Sequence, residues 1–245
     1  MFAFILKEDP ELAEGLPEDQ QRAFRQLLRA RVLEARGPWW EPPRDNSDRS
    51  FGLLVLDGVI GRRFCLGPAV AMELLSPGDI LRPWQPMPDF GLIPAELDWR
   101  VFRPARFAVL DPQITTLIAR HAGLNFSFSG RLLRRAHRAA YLVAVAHLPR
   151  VEDRLLATLS HLAATYGKVT PRGVKIPFRL THQELGDVIG AKRPTVTLAI
   201  KHLRQRNELY DDSEGGYVLA GNPNRWIQWL DAAPGPGPGP GRVNT

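Results

Sequence analysis

Cysteine is almost absent from this sequence of 245 residues, in which Cys65 stands alone. A single cysteine excludes an internal disulfide framework and argues against a zinc knuckle or a cysteine-ligated iron–sulfur cluster within one chain. The six histidines lie apart, without the i, i+4 spacing typical of metal ligands on a helix. We therefore predict no metal site, no haem and no other cofactor.

Long hydrophobic runs are also missing. The most apolar stretch, residues 139–148, is too short to span a bilayer, which needs about 20 apolar residues. The apolar start of the chain has no basic residues before it and soon meets acids and a proline, which is unlike a signal peptide. We expect a cytoplasmic protein with no membrane partner.

Familiar catalytic motifs are absent as well. The sequence contains no Gly-rich phosphate loop, no G-x-S-x-G and no H-E-x-x-H. The paired carboxylates Asp211 and Asp212 fall in a predicted turn, where solvation is the simpler explanation. We predict no catalytic residues and no enzyme activity.

Positive charge is what the chain does have. Its formal net charge is +6 and its isoelectric point is near 9.9, which favours a polyanionic partner without identifying one. The length suits two modest domains, and a hydrophobic fraction of 44% is enough to build their cores.

Residues 181–206 have the pattern of two short helices joined by a tight turn. Thr181 can cap the first helix, and Glu184 three residues later completes a capping box. Gly190 suits the turn, and Pro194 suits the first turn of the second helix, where its missing N–H costs nothing. Apolar residues recur at helical spacing along both helices: Leu185, Val188, Ile189, Val196, Ala199, Ile200 and Leu203.

The outward face of the second helix is basic. Turning 100° per residue from a buried Val196 brings five residues to that face: Pro194, Thr197, Leu198, Lys201 and Gln205. Five basic residues and no acid lie between 192 and 206: Lys192, Arg193, Lys201, Arg204 and Arg206. A helix that is buried on one side and basic on the other fits the DNA major groove. The alternative is an ordinary solvated surface helix.

The segment HQELGDVIGAKRPTVTLAIKHL closely resembles the DNA-binding end of the Crp/Fnr transcription regulators, in which a Gly-containing turn leads into a recognition helix. The resemblance extends upstream through VEDRLLATLSHLAATYG (151–167) and downstream to ELYDDSEGGYVL (208–219). It implies a sequence-specific transcription regulator that binds double-stranded DNA as a homodimer on a two-fold-symmetric site. Such a regulator either contacts RNA polymerase or blocks it.

Short apolar runs between turn signals fill residues 51–110, a pattern typical of a β-barrel or β-roll. We predict strands in FGLLVLDG, VIGRRFCLG, AVAMELLSPGD and VFRPARFAVLD, with tight turns at Asp57-Gly58 and at Pro77-Gly78-Asp79. The segment LLVLDGVI followed by ELLSPGDIL resembles the cyclic-nucleotide-binding β-roll that precedes the DNA-binding domain in the same family.

The nucleotide-binding residues of that family are missing. After Gly78-Asp79 there is neither the Gly-Glu pair that holds the ribose nor the Arg-x-Ala-[Ser/Thr] that neutralises the cyclic phosphate. The nearby cations, Arg82, Arg100, Arg103 and Arg106, do not sit in that motif. Either Arg82 or Arg100 could take an anionic ligand, whereas surface arginines on a β-rich domain are the simpler interpretation. We predict that cyclic AMP does not bind in the usual manner, and the ligand-binding residues stay unknown.

Helical patterns flank the roll. Residues 17–35 are predicted to be one helix, because Phe24, Leu27, Leu28 and Val32 share a face. Residues 37–50 form a predicted loop, in which Trp39 and Trp40 are packing residues. A short helix is predicted from Asp111 to Arg120, followed by an interruption from Gly123 to Gly130.

A further helix is predicted from about residue 132 to residue 147. Its apolar stripe consists of Leu132, Leu133, Ala136, Ala140, Val143 and Ala144. Four arginines are predicted to face away from the stripe: Arg131, Arg134, Arg135 and Arg138. The resemblance implies that this helix pairs with its twin in a dimer, while the alternative is that the stripe packs only on its own β-roll.

The predicted fold is therefore α+β. It consists of an N-terminal β-roll of the cyclic-nucleotide-binding type, a long dimerisation helix and a C-terminal winged helix-turn-helix. We place the β-roll with its flanking helices at 1–122, the dimerisation helix at 123–149, where Pro149 breaks it, and the DNA-binding domain at 150–233. Residues 234–245 are predicted to be a disordered Pro/Gly tail, preceded by a final helical turn with Trp226, Trp229 and Leu230.

The expected DNA contacts divide into base readers and phosphate contacts. Arg193 is the main base reader, Thr197 the second, and Leu198 is suited to touch a thymine methyl group. The phosphate contacts are Thr181, His182, Gln183, Lys192, Lys201 and Arg204. Where the best-known members have Arg-Glu and a second Arg, this chain has Arg193-Pro194 and Leu198, so its half-site should differ from the TGTGA type.

Two other functions remain open at this point. One is an effector-dependent regulator whose β-roll binds a different small molecule. The other is a winged helix used purely for protein contacts, because a fold does not fix a function.

Overall fold

The computed structural model describes residues 1–43, 49–84 and 96–221. The chain divides into two compact units, Met1–Val143 and Ala144–Thr245. The predicted helical turn at Trp226 and the predicted disordered tail, residues 234–245, lie outside the described residues.

The first unit is built on an antiparallel sheet. Its strands are β1 (Phe2–Phe4), β2 (Arg29–Ala35), β3 (Gly52–Leu66), β4 (Ala69–Leu75), β5 (Ile80–Leu81) and β6 (Glu96–Leu110). They lie in the order β1-β2-β6-β3-β4, and β5 pairs with β3 beside this path. The two long strands, β3 and β6, pair along most of their length.

The sheet has a hydrophobic core on each face, because successive side chains of a strand point to opposite sides. Leu54 and Leu56 of β3 join the cluster that contains the buried residues of the helices. Leu53 and Val55 join the other cluster, in which Phe107 of β6 is fully buried. Apolar side chains on both faces of β3 therefore contribute to the two cores.

The turn predicted at Asp57-Gly58 is wrong, because β3 continues through it. The ladder between β3 and β6 shifts register around Asp57, and Gly58 has a φ of 97°. The dipeptide therefore forms a bulge within a continuous strand instead of ending two strands. The predicted turn at Pro77-Gly78-Asp79 is confirmed, since the Asp79 carboxylate accepts a hydrogen bond of 2.8 Å from the Ser76 amide.

The single helix predicted for residues 17–35 is also wrong. Helix α2 (Glu18–Leu27) is only ten residues long, and strand β2 follows directly after Leu28. Val32 and Ala35 are buried in the strand, which pairs with both β1 and β6. Pairing on both sides outweighs the helical spacing of the apolar residues. The short helix α1 (Ile5–Glu8) and a 3₁₀ turn (Pro10–Ala13) complete this end of the chain.

Two helices follow the sheet. Helix α3 (Pro112–Arg120) confirms the prediction, and the Asp111 carboxylate caps it by accepting hydrogen bonds from two backbone amides. Helix α4 (Ala122–Ala146) then runs without a break, so the interruption predicted from Gly123 to Gly130 is wrong. Leu124 and Phe128 are fully buried in that segment, and their packing stabilises the helix despite its two glycines.

The second unit is a winged helix-turn-helix, which confirms the predicted α+β fold class. Its helices are α5 (Val151–Tyr166), α6 (His182–Ile189) and α7 (Arg193–Gln205), and Pro149 lies between α4 and α5. The strands β7 (Lys168–Thr170), β8 (Gly173–Lys175), β9 (Leu209–Asp211) and β10 (Tyr217–Leu219) form one sheet in the order β7-β8-β10-β9. Strands β9 and β10 form a hairpin, which is the wing of the predicted winged helix-turn-helix.

Candidate nucleic-acid interface

Helix α6 begins with the predicted capping box. The Thr181 hydroxyl accepts a hydrogen bond of 3.2 Å from the Glu184 amide, and the Glu184 carboxylate accepts one of 2.7 Å from the Thr181 amide. The helix ends at Gly190, whose φ of 66° lies in the left-handed region that favours glycine. The two ends fix the length of α6 and the position at which α7 begins.

Helix α7 has the predicted two faces. Val196 and Ile200 are fully buried, and Ala199 and Leu203 lie with them in the interior. Pro194 lies in the first turn of the helix. The residues predicted to face outward are exposed: Pro194, Thr197, Leu198, Lys201 and Gln205. The basic surface of α7 is therefore exposed and accessible to a large ligand such as a DNA duplex.

The three predicted base readers lie together on the first two turns of α7. Within the described part of the chain, no ion pair or side-chain hydrogen bond holds the Arg193 guanidinium. The Leu198 side chain is 52% exposed. The Thr197 hydroxyl, in contrast, lies 3.0 Å from the Arg193 carbonyl oxygen and 2.8 Å from His182 Nδ1.

The predicted phosphate contacts of α6 already have partners inside the domain. Thr181 is held in the capping box, and the Gln183 amide donates a hydrogen bond of 2.8 Å to the Asp187 carboxylate. His182 lies against Thr197, and the pKa of its imidazole is below the ordinary value because of burial and the positive charges of Arg204 and Arg193. A phosphate at this position would favour the protonated form of His182.

The predicted phosphate contacts of α7 differ among themselves. Lys192 and Lys201 are exposed, and among the described residues neither has an ion-pair partner. Arg204 forms a close ion pair with Asp211 of the β9–β10 hairpin. The structure therefore leaves the charges of Lys192, Arg193 and Lys201 for a polyanion, whereas that of Arg204 is partly neutralised.

One arginine, which was not predicted to have a role here, contacts the turn between the two helices of the candidate interface. Arg154 of α5 donates hydrogen bonds to the Leu148 carbonyl at 2.6 Å and to the Gly190 carbonyl at 3.3 Å. It thereby links the segment before α5 to the turn between α6 and α7. Helical periodicity cannot show this role, because both acceptors are backbone atoms distant in sequence.

In the first unit, α4 is attached to the β-roll by ion pairs on one side. Arg135 makes hydrogen bonds of 2.7 and 2.9 Å to the Glu73 carboxylate, and Arg138 makes one of 2.6 Å to Asp79. Arg131 forms a close ion pair with Asp9. Arg131, Arg135 and Arg138 thus lie on the side of α4 away from the apolar stripe, as predicted, and each has a carboxylate partner within the unit. Only Arg134 of the four is exposed.

Glu73 is the centre of this ionic contact. It also accepts a hydrogen bond of 2.7 Å from Arg62, so two guanidinium groups share one carboxylate. Burial opposes ionisation of Glu73, but the hydrogen bonds and charges of Arg135 and Arg62 outweigh it, and its pKa lies below the ordinary value. Glu73 is therefore ionised at neutral pH.

The apolar stripe of α4 lies uncovered on the opposite side. Leu132, Leu133 and Val143 are 43%, 57% and 59% exposed, and Ala136, Ala139 and Ala140 between them are also exposed. The stripe therefore does not pack on the β-roll of its own unit, and that alternative is wrong.

A cleft of about 1130 Å³ lies beside α3 and α4 in the first unit. Five arginines line it: Arg49, Arg62, Arg82, Arg120 and Arg135. Two buried atoms of its lining, Ser50 Oγ and Arg62 Nε, have no hydrogen-bond partner among the described residues. Of the other arginines considered as anion ligands, Arg103 pairs with Asp57, Arg106 pairs with Glu8, and Arg100 lies 4.8 Å over the ring of Trp39. Trp40 stacks on Phe107, which confirms its packing role.

No group of three or more potential metal ligands occurs in the described ranges, 1–43, 49–84 and 96–221. Within the same ranges, none of the helices is long and apolar enough to cross a membrane.

The fold and the exposed basic helix define a class of protein: a β-roll followed by a winged helix-turn-helix DNA-binding domain. Residues 153–218 match the family described as the Crp-like helix-turn-helix domain. Together with the solved structures described next, this match confirms the resemblance to the Crp/Fnr transcription regulators that the sequence indicates.

Individual proteins of that class resemble the chain at low identity. The Global nitrogen regulator of Synechocystis sp. is 22% identical over 174 residues, which cover 67% of this chain and 73% of that protein. A CRP/FNR-family transcriptional regulator from Thermus thermophilus has a TM-score of 0.59 and 18% identity, covering 82% of this chain and 98% of its own. FixK2 from Bradyrhizobium japonicum has a TM-score of 0.60 and 14% identity, covering 81% and 96%. The chain thus has the fold of the Crp/Fnr regulators.

Proposed function

We propose that this protein is a sequence-specific, DNA-binding transcription regulator of the Crp/Fnr type. It acts in the cytoplasm as a homodimer on a two-fold-symmetric site, without a requirement for cyclic AMP. One observation carries the proposal: Lys192, directly before α7, and Arg193 and Lys201 within it are exposed cations with no ion-pair partner among the described residues, and the other side of the helix is buried. A helix of this kind fits the major groove, where bases are distinguishable.

The uncovered stripe of α4 supports the homodimer. Exposed Leu132, Leu133 and Val143, with exposed alanines between them, allow a second copy of the helix to approach closely and bury apolar surface. A helix-turn-helix dimer reads two half-sites about one DNA turn apart, which explains the two-fold-symmetric site. We assign the dimerisation role to residues 123–149 and DNA binding to residues 150–233, with the β-roll at 1–122.

The ion pairs of α4 support activity without cyclic AMP. Asp9, Glu73 and Asp79 attach the helix to the β-roll through contacts made entirely within the chain. Together with the missing Gly-Glu pair, these contacts favour a β-roll whose position on α4 needs no nucleotide. Tight, stoichiometric binding of cyclic AMP in a calorimetric titration would contradict this part of the proposal.

Selection from a random pool of double-stranded DNA tests the function. The purified protein is mixed with the pool at near-physiological salt and no added ligand, and the bound DNA is sequenced. We expect enrichment of a two-fold-symmetric site. The triple variant Lys192→Ala, Arg193→Ala, Lys201→Ala serves as control and should enrich nothing. We expect it to fold, because the three side chains are exposed and make no ion pair among the described residues. If the wild-type protein also binds no DNA, the proposal fails and a protein partner becomes the better interpretation.

An effector-dependent regulator is a second candidate, and the arginine-rich cleft of the first unit favours it. Five guanidinium groups, two of which share the Glu73 carboxylate, and the Ser50 hydroxyl, which has no partner among the described residues, suit an anionic small molecule. A thermal-shift screen of inorganic and organic anions tests this candidate, with the exposed cleft residue Arg120→Gln as the variant. A shift in wild type that the variant loses, accompanied by ligand-dependent DNA binding, would support it over the ligand-free regulator.

A further inference from the structure

The exposed surface of α7 between Arg193 and Lys201 contains an apolar patch. Pro194 and Leu198 are both exposed there and carry no hydrogen-bonding group in their side chains. The two residues lie one helical turn apart, so they form a single patch together with Thr197. This patch occupies the part of the helix that a major groove would contact.

The hydroxyl of Thr197 adds no donor to this patch. Its one proton is used inside the domain in either tautomer of His182. If Nδ1 of His182 carries a proton, it donates to Thr197 Oγ1, and the hydroxyl donates to the Arg193 carbonyl at 3.0 Å. If Nδ1 is unprotonated, the hydroxyl donates to it instead. Thr197 can therefore offer a base its γ-methyl group and an acceptor oxygen, but no hydrogen-bond donor.

Apolar side chains recognise one feature of the major groove, the C5-methyl group of thymine. The following inference rests on the proposed DNA-binding function. We propose that Leu198 and the Thr197 methyl group are specificity-determining thymine readers, placed next to the guanine reader Arg193. Each half-site then contains a guanine for Arg193 and, beside it, at least one thymine recognised through its methyl group.

Deoxyuridine scanning of the selected site tests the inference, because deoxyuridine differs from thymine only by that methyl group. Each thymine of the site is replaced in turn, symmetrically in both half-sites, and the dissociation constant is measured by fluorescence anisotropy. We expect a loss of affinity of roughly threefold to fivefold per buried methyl group at one or two positions. Thymines outside the half-sites are the internal control and should show no loss.

Variants of α7 assign the effect to the two side chains. In the Leu198→Ala variant and in the Thr197→Ser variant, one thymine position of the half-site should lose its sensitivity. The variant should then bind the thymine site and the deoxyuridine site with equal affinity at that position. Thr197→Val keeps the methyl group without the hydroxyl and should keep the thymine preference, even if its overall affinity changes. Gln205→Ala, exposed at the far end of the same helix, should behave like wild type. The ratio of the affinity for the thymine site to that for the deoxyuridine site tests the assignment, even if a variant binds both sites more weakly than wild type.

The outcomes separate this inference from the proposed function. A selected symmetric site with no deoxyuridine-sensitive thymine overturns the inference alone. A sensitive thymine that remains sensitive in both Leu198→Ala and Thr197→Ser also overturns it. Failure of the selection to enrich any sequence overturns the proposed function and the inference together.

Discussion

His182 is the residue through which we expect DNA binding to depend on pH. Its pKa is lowered by burial and by Arg204 and Arg193, so the imidazole is neutral in the free protein at pH 7. A bound phosphate would raise this pKa, and binding would then take up a proton. We expect DNA affinity to increase as the pH falls from about 8 to about 6. Anisotropy titrations across this range check the prediction, and a His182→Gln variant with the same pH dependence as wild type would contradict it.

Arg193 and Lys201 are expected to have different roles. Arg193→Ala should reduce discrimination between the selected site and random DNA by roughly 1–3 kcal/mol, because a bidentate contact to guanine is lost. Lys201→Ala should weaken both kinds of DNA equally and reduce the salt dependence of binding. Competition titrations against random DNA at two salt concentrations measure both quantities. The assignment is wrong if the two variants show the same specificity.

The sequence predicts which side chains of the interface are exposed better than it predicts their partners. Val196 and Ile200 are buried and Leu198 is exposed, as the helical period requires. The pairing of Arg204 with Asp211 and the contact of His182 with Thr197 depend on how separate elements pack together. Periodicity within one helix carries no information on such contacts.

At the scale of secondary structure, Glu73 is the one of the three carboxylates attaching α4 that is shared by two arginines. Glu73→Gln removes the charge partner of Arg62 and leaves Arg135 with only the charge of Asp79 nearby. We expect the free energy of unfolding to fall by about 3–5 kcal/mol. Arg103→Gln breaks an exposed ion pair with Asp57 and should cost about 0–1 kcal/mol. Urea denaturation of both variants provides the comparison, and equal costs would count against the special role of Glu73.

The bulge in β3 gives a second prediction for an element. A Cβ atom at Gly58 would lie 2.4 Å from the Pro104 carbonyl oxygen, and the φ of 97° already disfavours other residues. Gly58→Ala should therefore destabilise the first unit by more than about 2 kcal/mol. Gly67 also has a positive φ but has open space around its Cβ position, so Gly67→Ala should cost only about 1 kcal/mol. The difference in urea midpoint between the two variants measures the part of the destabilisation at Gly58 that comes from the steric clash.

Elements were predicted correctly where local signals and packing agree. The capping box of α6 and the aspartate cap of α3 are local, and both helices begin where expected. The errors occur where a distant partner decides: β6 keeps β3 continuous through Asp57-Gly58, and pairing with β1 and β6 turns residues 29–35 into a strand. The arginines of α4 lie on the predicted side of the helix, but their carboxylate partners could not be predicted, because those carboxylates are far away in sequence.

For the whole molecule, the uncovered stripe of α4 predicts the state of assembly. Leu133→Glu should convert the proposed homodimer to a monomer without unfolding the chain, because Leu133 is 57% exposed in the single chain. Leu66→Glu, a similar change at an exposed leucine near the end of β3, should leave the dimer intact. Sedimentation at micromolar concentration checks both. A wild-type protein that is monomeric under these conditions would contradict the proposed homodimer.

The exposure of that stripe also determines how the regulator responds to its own abundance. If two chains must associate through α4 before both half-sites are occupied, the concentration of competent dimer rises with the square of the chain concentration while most chains are single. A twofold increase in synthesis then produces about four times as much DNA-binding species. The amount of the protein would itself be an input to transcription, and the response would be steeper than proportional even if the β-roll binds nothing.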